Sequence, residues 1–150
     1  MSYEIMKLKT EDFHKCSNIW NMEKQANLAK QFYAELLSEN RKTYVYCIDG
    51  MFVGEISLVY DMNDTDYTIR SQRVYVSRLI VKKEYRRQGI GRVLVDYACK
   101  IAKNEGFTEL SIGVDLDNYA AIKLYWDAGF DRIIYVGEDE QGQYMKLLKK

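Results

Sequence analysis

The sequence predicts a mixed α+β domain: a mostly antiparallel sheet of about seven strands, flanked by about four helices and bulged in its fourth strand. Three observations carry this. Asp49-Gly50 separates two extended runs, a strong two-residue hairpin signal, so the sheet begins antiparallel. A helical stretch from Gly91 to Asn104 then joins two strand-like runs, and a helical crossover places its strands parallel. Finally, the apolar alternation of the fourth strand changes phase partway along it.

In order, Tyr3 to Leu8 reads as a strand. Thr10 offers an N-cap, and Phe13, Cys16 and Trp20 follow at helical spacing. A second helix is expected from about Gln25 to Ser38. Thr43 to Ile48 and Met51 to Tyr60 are the hairpin strands, and the polar run Asp61 to Asp66 is a loop. Val74 to Val81 is the fourth strand. Its apolar residues fall on even numbers at Val74 and Val76, then on odd numbers at Leu79 and Val81. Strand periodicity is two, so the slip predicts a bulge near Ser77-Arg78. Leu94, Ala98 and Ile101 share one face of the helix from Gly91 to Asn104, which Gly106 caps. Leu110, Ile112 and Val114 alternate as the fifth strand. Asn118 to Ala128 is a helix closed by Gly129. Phe130 to Val136 and Tyr144 to Leu148 form a last antiparallel pair around a turn near Gln141-Gly142.

The 150 residues suit one domain spanning the whole chain, and a hydrophobic fraction of 47% can fill its core. Basic and acidic residues balance at 22 each, which argues against a general nucleic-acid binder. No apolar run is long enough for a signal peptide or a membrane span, so a cytosolic protein without a membrane partner is expected. Cys16, Cys47 and Cys99 are unpaired in spacing and His14 is the only histidine, so no metal is expected and the thiols read as small buried side chains.

The chemistry concentrates in Lys82-Lys83-Glu84-Tyr85-Arg86-Arg87-Gln88-Gly89-Ile90-Gly91-Arg92, where five cations fall within eleven residues. Gly89 and Gly91 let the backbone approach a ligand. Amides of a first helical turn lack intrahelical partners, and the helix dipole favours an anion there. Arginine adds planar contacts to phosphate oxygens. Together these predict a diphosphate cradle; the alternative is a basic turn capping an ordinary helix. A Walker loop is excluded because Arg92-Val93 follows Gly91, and a Rossmann fingerprint because Leu94 stands where its third glycine belongs.

With these residues in place the sequence resembles the GNAT superfamily of N-acetyltransferases. Leu79-Ile80-Val81 precedes Arg86-Arg87-Gln88-Gly89-Ile90-Gly91, which matches the family's Arg/Gln-x-x-Gly-x-Gly/Ala signature. Asn118 to Phe130 matches its Asn-x-x-Ala-x-x-Leu-Tyr-x-x-x-Gly-Phe pattern. Specific motif covers about residues 74 to 130, and the element order fits throughout. The resemblance implies acetyl-CoA as co-substrate and a primary amine, of a small molecule or a peptide, as acceptor. It implies that the fourth strand splays from the fifth and that backbone groups of Leu79, Ile80 and Val81 pair with the pantetheine arm. Amides from Arg87 to Arg92 would hold the pyrophosphate, and Asn118 would bond the cofactor near the splay. Family members often form homodimers. A CoA-binding regulatory domain without turnover is the alternative function.

The implied reaction is direct attack of an amine on a thioester carbonyl through a tetrahedral oxyanion, with a backbone amide such as that of Leu79 as its stabiliser. Tyr125 occupies the family's general-acid position, and a phenol stays protonated at neutral pH; the alternative is a core tyrosine. Some members that act on protein N-termini carry a glutamate where this chain has Gly113. Glu55 and Asp115 are the substitute base candidates, each alternatively a solvated strand-end carboxylate. A base is also dispensable for some acceptors: at pH 7 an α-amine is about 17% neutral and a lysine about 0.04%. Trp20, Phe32, Tyr33 and Tyr60 are candidates to line the acceptor side, or are core. The acidic run from Asp61 to Asp66 is a candidate attractor of a cationic acceptor, or a solvated loop.

Overall fold

The computed structural model describes residues 2–150. Its seven strands are β1 (Tyr3–Lys7), β2 (Arg41–Ile48), β3 (Met51–Val59), β4 (Arg73–Val81), β5 (Glu109–Asp115), β6 (Arg132–Asp139) and β7 (Gly142–Lys149). They form one sheet in the order β1-β2-β3-β4-β5-β7-β6, in which β4 and β5 are parallel and the other pairs antiparallel. The helices are α1 (Ala26–Leu37), α2 (Ile90–Asn104) and α3 (Tyr119–Asp127), with 3-10 helices at Thr10–Asn18 and Lys83–Tyr85. The predicted fold class is the observed one.

Strand β2 is buried along nearly its whole length because both faces of the sheet are covered. Its Tyr44, Tyr46 and Ile48 join the larger core under α2 and α3, where Leu94, Val95 and Ala98 meet Ile56, Leu58, Val74 and Val76. The alternate residues Val45 and Cys47 join a smaller core with Leu8, Cys16, Leu36 and Phe52 under the 3-10 helix and α1. Asp49 and Gly50 both take positive φ (50° and 83°), and Ile48 pairs directly with Met51, as a primed two-residue turn requires.

Two expectations are corrected. Thr10 does not cap its helix: Lys9, at φ −85° and ψ 143°, is the cap residue, and the Asp12 N–H bonds the Lys9 carbonyl at 2.9 Å. The chain turns one residue early and tightens into 3-10 geometry, so the threonine already lies within the first turn. Helix α2 starts at Ile90, with Gly89 in the left-handed conformation at its N-cap (φ 82°). Both α2 and α3 end in paired reverse bonds over Gly106 and Gly129, such as Phe107 N–H to Ala102 carbonyl and Phe130 N–H to Tyr125 carbonyl.

The phase slip in β4 is a bulge. Ser57 pairs with Ser77 and Glu55 with Ile80, so Arg78 and Leu79 together oppose Ile56, and Arg78 takes φ 61°. On its other side β4 pairs with β5 only from Arg73 to Tyr75. Beyond that point the parallel strands part, and the opening between them lies over α3.

Candidate functional site

The opening is lined on the β4 side by Leu79 and Val81, on the loop side by Arg86, Arg87, Gly89, Ile90, Gly91 and Arg92, and on the α3 side by Asn118 and Tyr125. These ten predicted residues share one groove of about 480 Å³. Gln88 is exposed and lines neither this groove nor the adjoining cleft. Ile80 lines the adjoining cleft of about 560 Å³, which also takes in Leu79, Tyr125, Tyr67, Gly113 and Asp115.

The loop is built for backbone approach. Arg87 and Gly89 take positive φ (64° and 82°), folding the chain back before α2. The first helical bond runs from Val93 N–H to the Gly89 carbonyl at 3.1 Å, which leaves the amides of Ile90, Gly91 and Arg92 to a ligand. A Cβ on Gly91 would meet only Leu124 Cδ2 at 3.5 Å and Leu79 Cδ2 at 3.9 Å. Internal packing therefore tolerates a side chain there; the room it would fill is groove. The donor set of free amides and arginines with this clear floor fits a diphosphate. Two of the three β4 residues have neighbours at their carbonyls: Arg86 Nε donates to that of Val81 at 2.9 Å, and that of Ile80 lies 3.4 Å from the place of a Gly54 Cβ on β3.

Tyr125 stands where the two clefts meet. Its ring packs edge-on against Phe130 at 6.2 Å, and burial, with Tyr75 nearby, pushes its hydroxyl up to about 12. It is therefore a neutral donor throughout the physiological range. Asn118 Oδ1 accepts from the Ala121 amide at 3.2 Å, so its carbonyl caps α3 and leaves the amide nitrogen as the free donor.

Glu55 is only 3% exposed and lines neither cleft. It is not a solvated strand end: Trp20 Nε1 donates to its Oε1 at 2.7 Å, and burial pushes its carboxyl up to about 7 against the pull of Arg78 and Arg41. The Arg78 guanidinium sits 4.5 Å over the Trp20 ring with its Nε buried and unpartnered, and it lines the wider cleft. Arg41, 4% exposed, pairs with Glu35 at 3.0 Å and donates to Ser77 Oγ at 3.3 Å. This buried polar group joins β2, β3, β4, α1 and Trp20, which stand far apart in sequence, and sequence reasoning missed it.

The acceptor-side expectations divide. Trp20 and Phe32 are core and pack edge-on at 6.1 Å. Tyr33 is exposed beside Phe13. Tyr60 does not face the clefts, because its hydroxyl donates to Glu105 at 2.7 Å at the far end of α2. The acidic run is engaged: Lys146 Nζ bonds Asp64 Oδ2 at 2.9 Å and Asp66 Oδ2 at 3.1 Å. Those two carboxylates fasten the β3–β4 loop to β7, while Asp61, Asn63 and Thr65 stay exposed, so the run is a solvated loop with two of its acids engaged.

The sequence matches the model of the Acetyltransferase (GNAT) family over residues 3–130. Among curated proteins it is 31% identical to N-alpha-acetyltransferase 30 of Schizosaccharomyces pombe over 90 residues, covering 60% of this chain and 57% of that one. It is 29% identical to the probable N-acetyltransferase san of Drosophila melanogaster over 123 residues, covering 75% and 62%. The chain spans less than two thirds of the length of these relatives, and 22% of GCN5-related N-acetyltransferase 7 of Arabidopsis thaliana. Solved structures share the fold across nearly the whole chain. Aminoglycoside 6'-acetyltransferase type Ii aligns with a TM-score of 0.79 at 18% identity, covering 98% of this chain and 96% of that one. The PaiA N-acetyltransferase of Thermoplasma acidophilum, solved in complex with coenzyme A, gives 0.70 at 23% identity, covering 100% and 99%.

Proposed function

The chain belongs to the acetyltransferase (GNAT) family, and from that premise we propose that it is an acetyl-CoA-dependent N-acetyltransferase acting on a primary amine. One observation carries the reading: the free amides and arginines at the start of α2, the bulged end of β4 and Tyr125 line one groove, which adjoins the cleft where β4 and β5 have parted. Acetyl-CoA supplies the thioester. The amides of Ile90, Gly91 and Arg92, with the Arg86, Arg87 and Arg92 side chains, hold its diphosphate. In this reading backbone groups of Leu79, Ile80 and Val81 pair with the pantetheine arm, the Val81 carbonyl while also accepting from Arg86 Nε, and the Asn118 amide nitrogen bonds a carbonyl beside it.

The amine enters by the wider cleft on the other side of Tyr125. The Leu79 amide stabilises the developing oxyanion, and the neutral Tyr125 phenol delivers its proton to the leaving thiolate. Asp115 is the base candidate that lines the wider cleft. Glu55 lines neither cleft and its carboxylate is engaged by Trp20 Nε1, so it is not placed to touch the acceptor amine. An acceptor that is already partly neutral suits this arrangement best. Solved structures named for a ribosomal-protein alanine and for an aminoglycoside share the fold, so the fold does not choose between acceptors.

The test mixes the protein with acetyl-CoA and a panel of free amino acids, polyamines and short peptides with free N-termini, and follows thiol release. Release with at least one amine is expected. Binding of CoA without release for every amine would assign a regulatory CoA-binding role instead. Failure to bind CoA would overturn the reading.

A further inference from the structure

Gly113 removes a side chain from β5 beside the splay, and the vacated place is taken. A Cβ on Gly113 would stand 2.7 Å from Tyr67 Oη and 3.6 Å from its Cζ. A phenol from the β3–β4 loop thus occupies the position from which a β5 side chain would face the cleft. Several contacts hold it there. The Tyr67 N–H bonds the Asp64 carbonyl at 3.0 Å, and Ser111 Oγ donates to the Tyr67 carbonyl at 2.6 Å. The ring lies 4.5 Å from that of Tyr75 on one side. Lys146 Nζ, anchored by Asp64 and Asp66, stands 4.7 Å from its centroid. The hydroxyl has no hydrogen-bond partner among the described residues, and Tyr67 lines the cleft that contains Leu79 and Tyr125.

Resting on the acetyltransferase reading, we propose that Tyr67 positions the acceptor: its hydroxyl oxygen accepts an N–H of the attacking amine, and Gly113 provides the room for it. A neutral primary amine offers one lone pair and two N–H donors. Bonding one N–H to a fixed oxygen aims the lone pair at the thioester carbon. As the C–N bond forms the nitrogen gains positive charge, so this hydrogen bond strengthens toward the transition state. Tyr67 removes no proton in this role. Burial raises its hydroxyl, with Tyr75, Tyr144 and Asp64 adding to the rise and Lys146 opposing it, and the phenol stays neutral.

The experiment is a double-mutant cycle on Tyr67→Phe and Gly113→Ala, read with the best amine of the panel. Tyr67→Phe is expected to lower kcat/KM for the amine about tenfold while the KM for acetyl-CoA stays within about twofold. Gly113→Ala pushes the hydroxyl aside and is expected to cost a similar factor. In the Tyr67→Phe background Gly113→Ala should cost little more, since the displaced atom is already gone. Stabilisation of each variant by added CoA verifies that the donor side is intact. Additive losses, equal losses for amine and acetyl-CoA, or an unmoved Tyr67→Phe would overturn the proposal while leaving the acetyltransferase reading in place. An unaltered protein that acetylates no amine would remove both.

Discussion

Tyr125 and Glu55 show how burial sets opposite tasks for two ionisable side chains. Burial raises the Tyr125 hydroxyl to about 12 and preserves a proton it already carries. Tyr125→Phe is therefore expected to lower turnover at least tenfold, with the KM for acetyl-CoA little changed; steady-state kinetics at saturating amine decide it. For Glu55 the same physics raises the carboxyl to about 7, which makes the charged form the costly one. The folded state then holds a proton that the unfolded state releases near 4.5, so stability from this group is full below about 4.5 and is lost as pH rises through about 7. The loss amounts to up to about 3 kcal/mol by the pKa-to-energy conversion. Glu55→Gln keeps an acceptor for Trp20 Nε1 and removes the titration. Its denaturation midpoint should gain on the parent as pH rises from 4.5 to 7.5, and parallel curves would refute this. If Glu55 also takes part in proton transfer, the same variant shifts the pH–rate profile. Arg78, Arg41 and Trp20, which surround this carboxyl, come from distant parts of the chain. No local spacing could announce them; their meeting is a product of the sheet.

At the scale of elements, the two glycines before and within α2 do different work. Gly89 is left-handed and a Cβ there touches nothing within 4 Å, so Gly89→Ala costs conformation alone, about 1–2 kcal/mol. Gly91 is helical with ordinary neighbours, so Gly91→Val is expected to leave stability within about 1 kcal/mol while weakening CoA binding at least tenfold. Thermal unfolding with and without CoA separates the two: stability falls for the first, ligand-induced stabilisation for the second. This loop was legible because every part of it lies within one short segment, where the order strand, cations, glycines, helix has a local physical meaning. The bulge was legible for the same kind of reason, since it leaves a parity slip between Val76 and Leu79. Thr10 misled because a cap depends on where the chain turns, which Lys9 decides. Tyr67 was invisible because its neighbour Gly113 is 46 positions away and the empty Cβ gives no sign of what fills it.

The whole molecule is a sheet whose central strands are covered on both faces, with a large core under α2 and α3 and a smaller one under the 3-10 helix and α1. This layering was readable from the order and periodicity of the elements. The insertion of β7 between β5 and β6 was readable only as a final antiparallel pair, because nothing in a hairpin's sequence says which of its strands faces the sheet. The donor side is continuous in sequence and the acceptor side is assembled by the fold, which is why one was read and the other was largely missed. The bulge in β4 has a consequence for how this architecture separates folding from chemistry. Ser77 and Ile80 are already in register with Ser57 and Glu55, with two residues facing Ile56 between them. Excising Arg78 would set Leu79 opposite Ile56 and remove the surplus from the ladder with β3, at the cost of the Arg78 contacts with Trp20, Phe32 and Gln25. Pairing of β4 with β5 already ends at Tyr75, before the surplus residue, while Arg78, Leu79 and Ile80 line the wider cleft, so a deletion of one codon is expected to reshape the ligand's entrance more than the sheet.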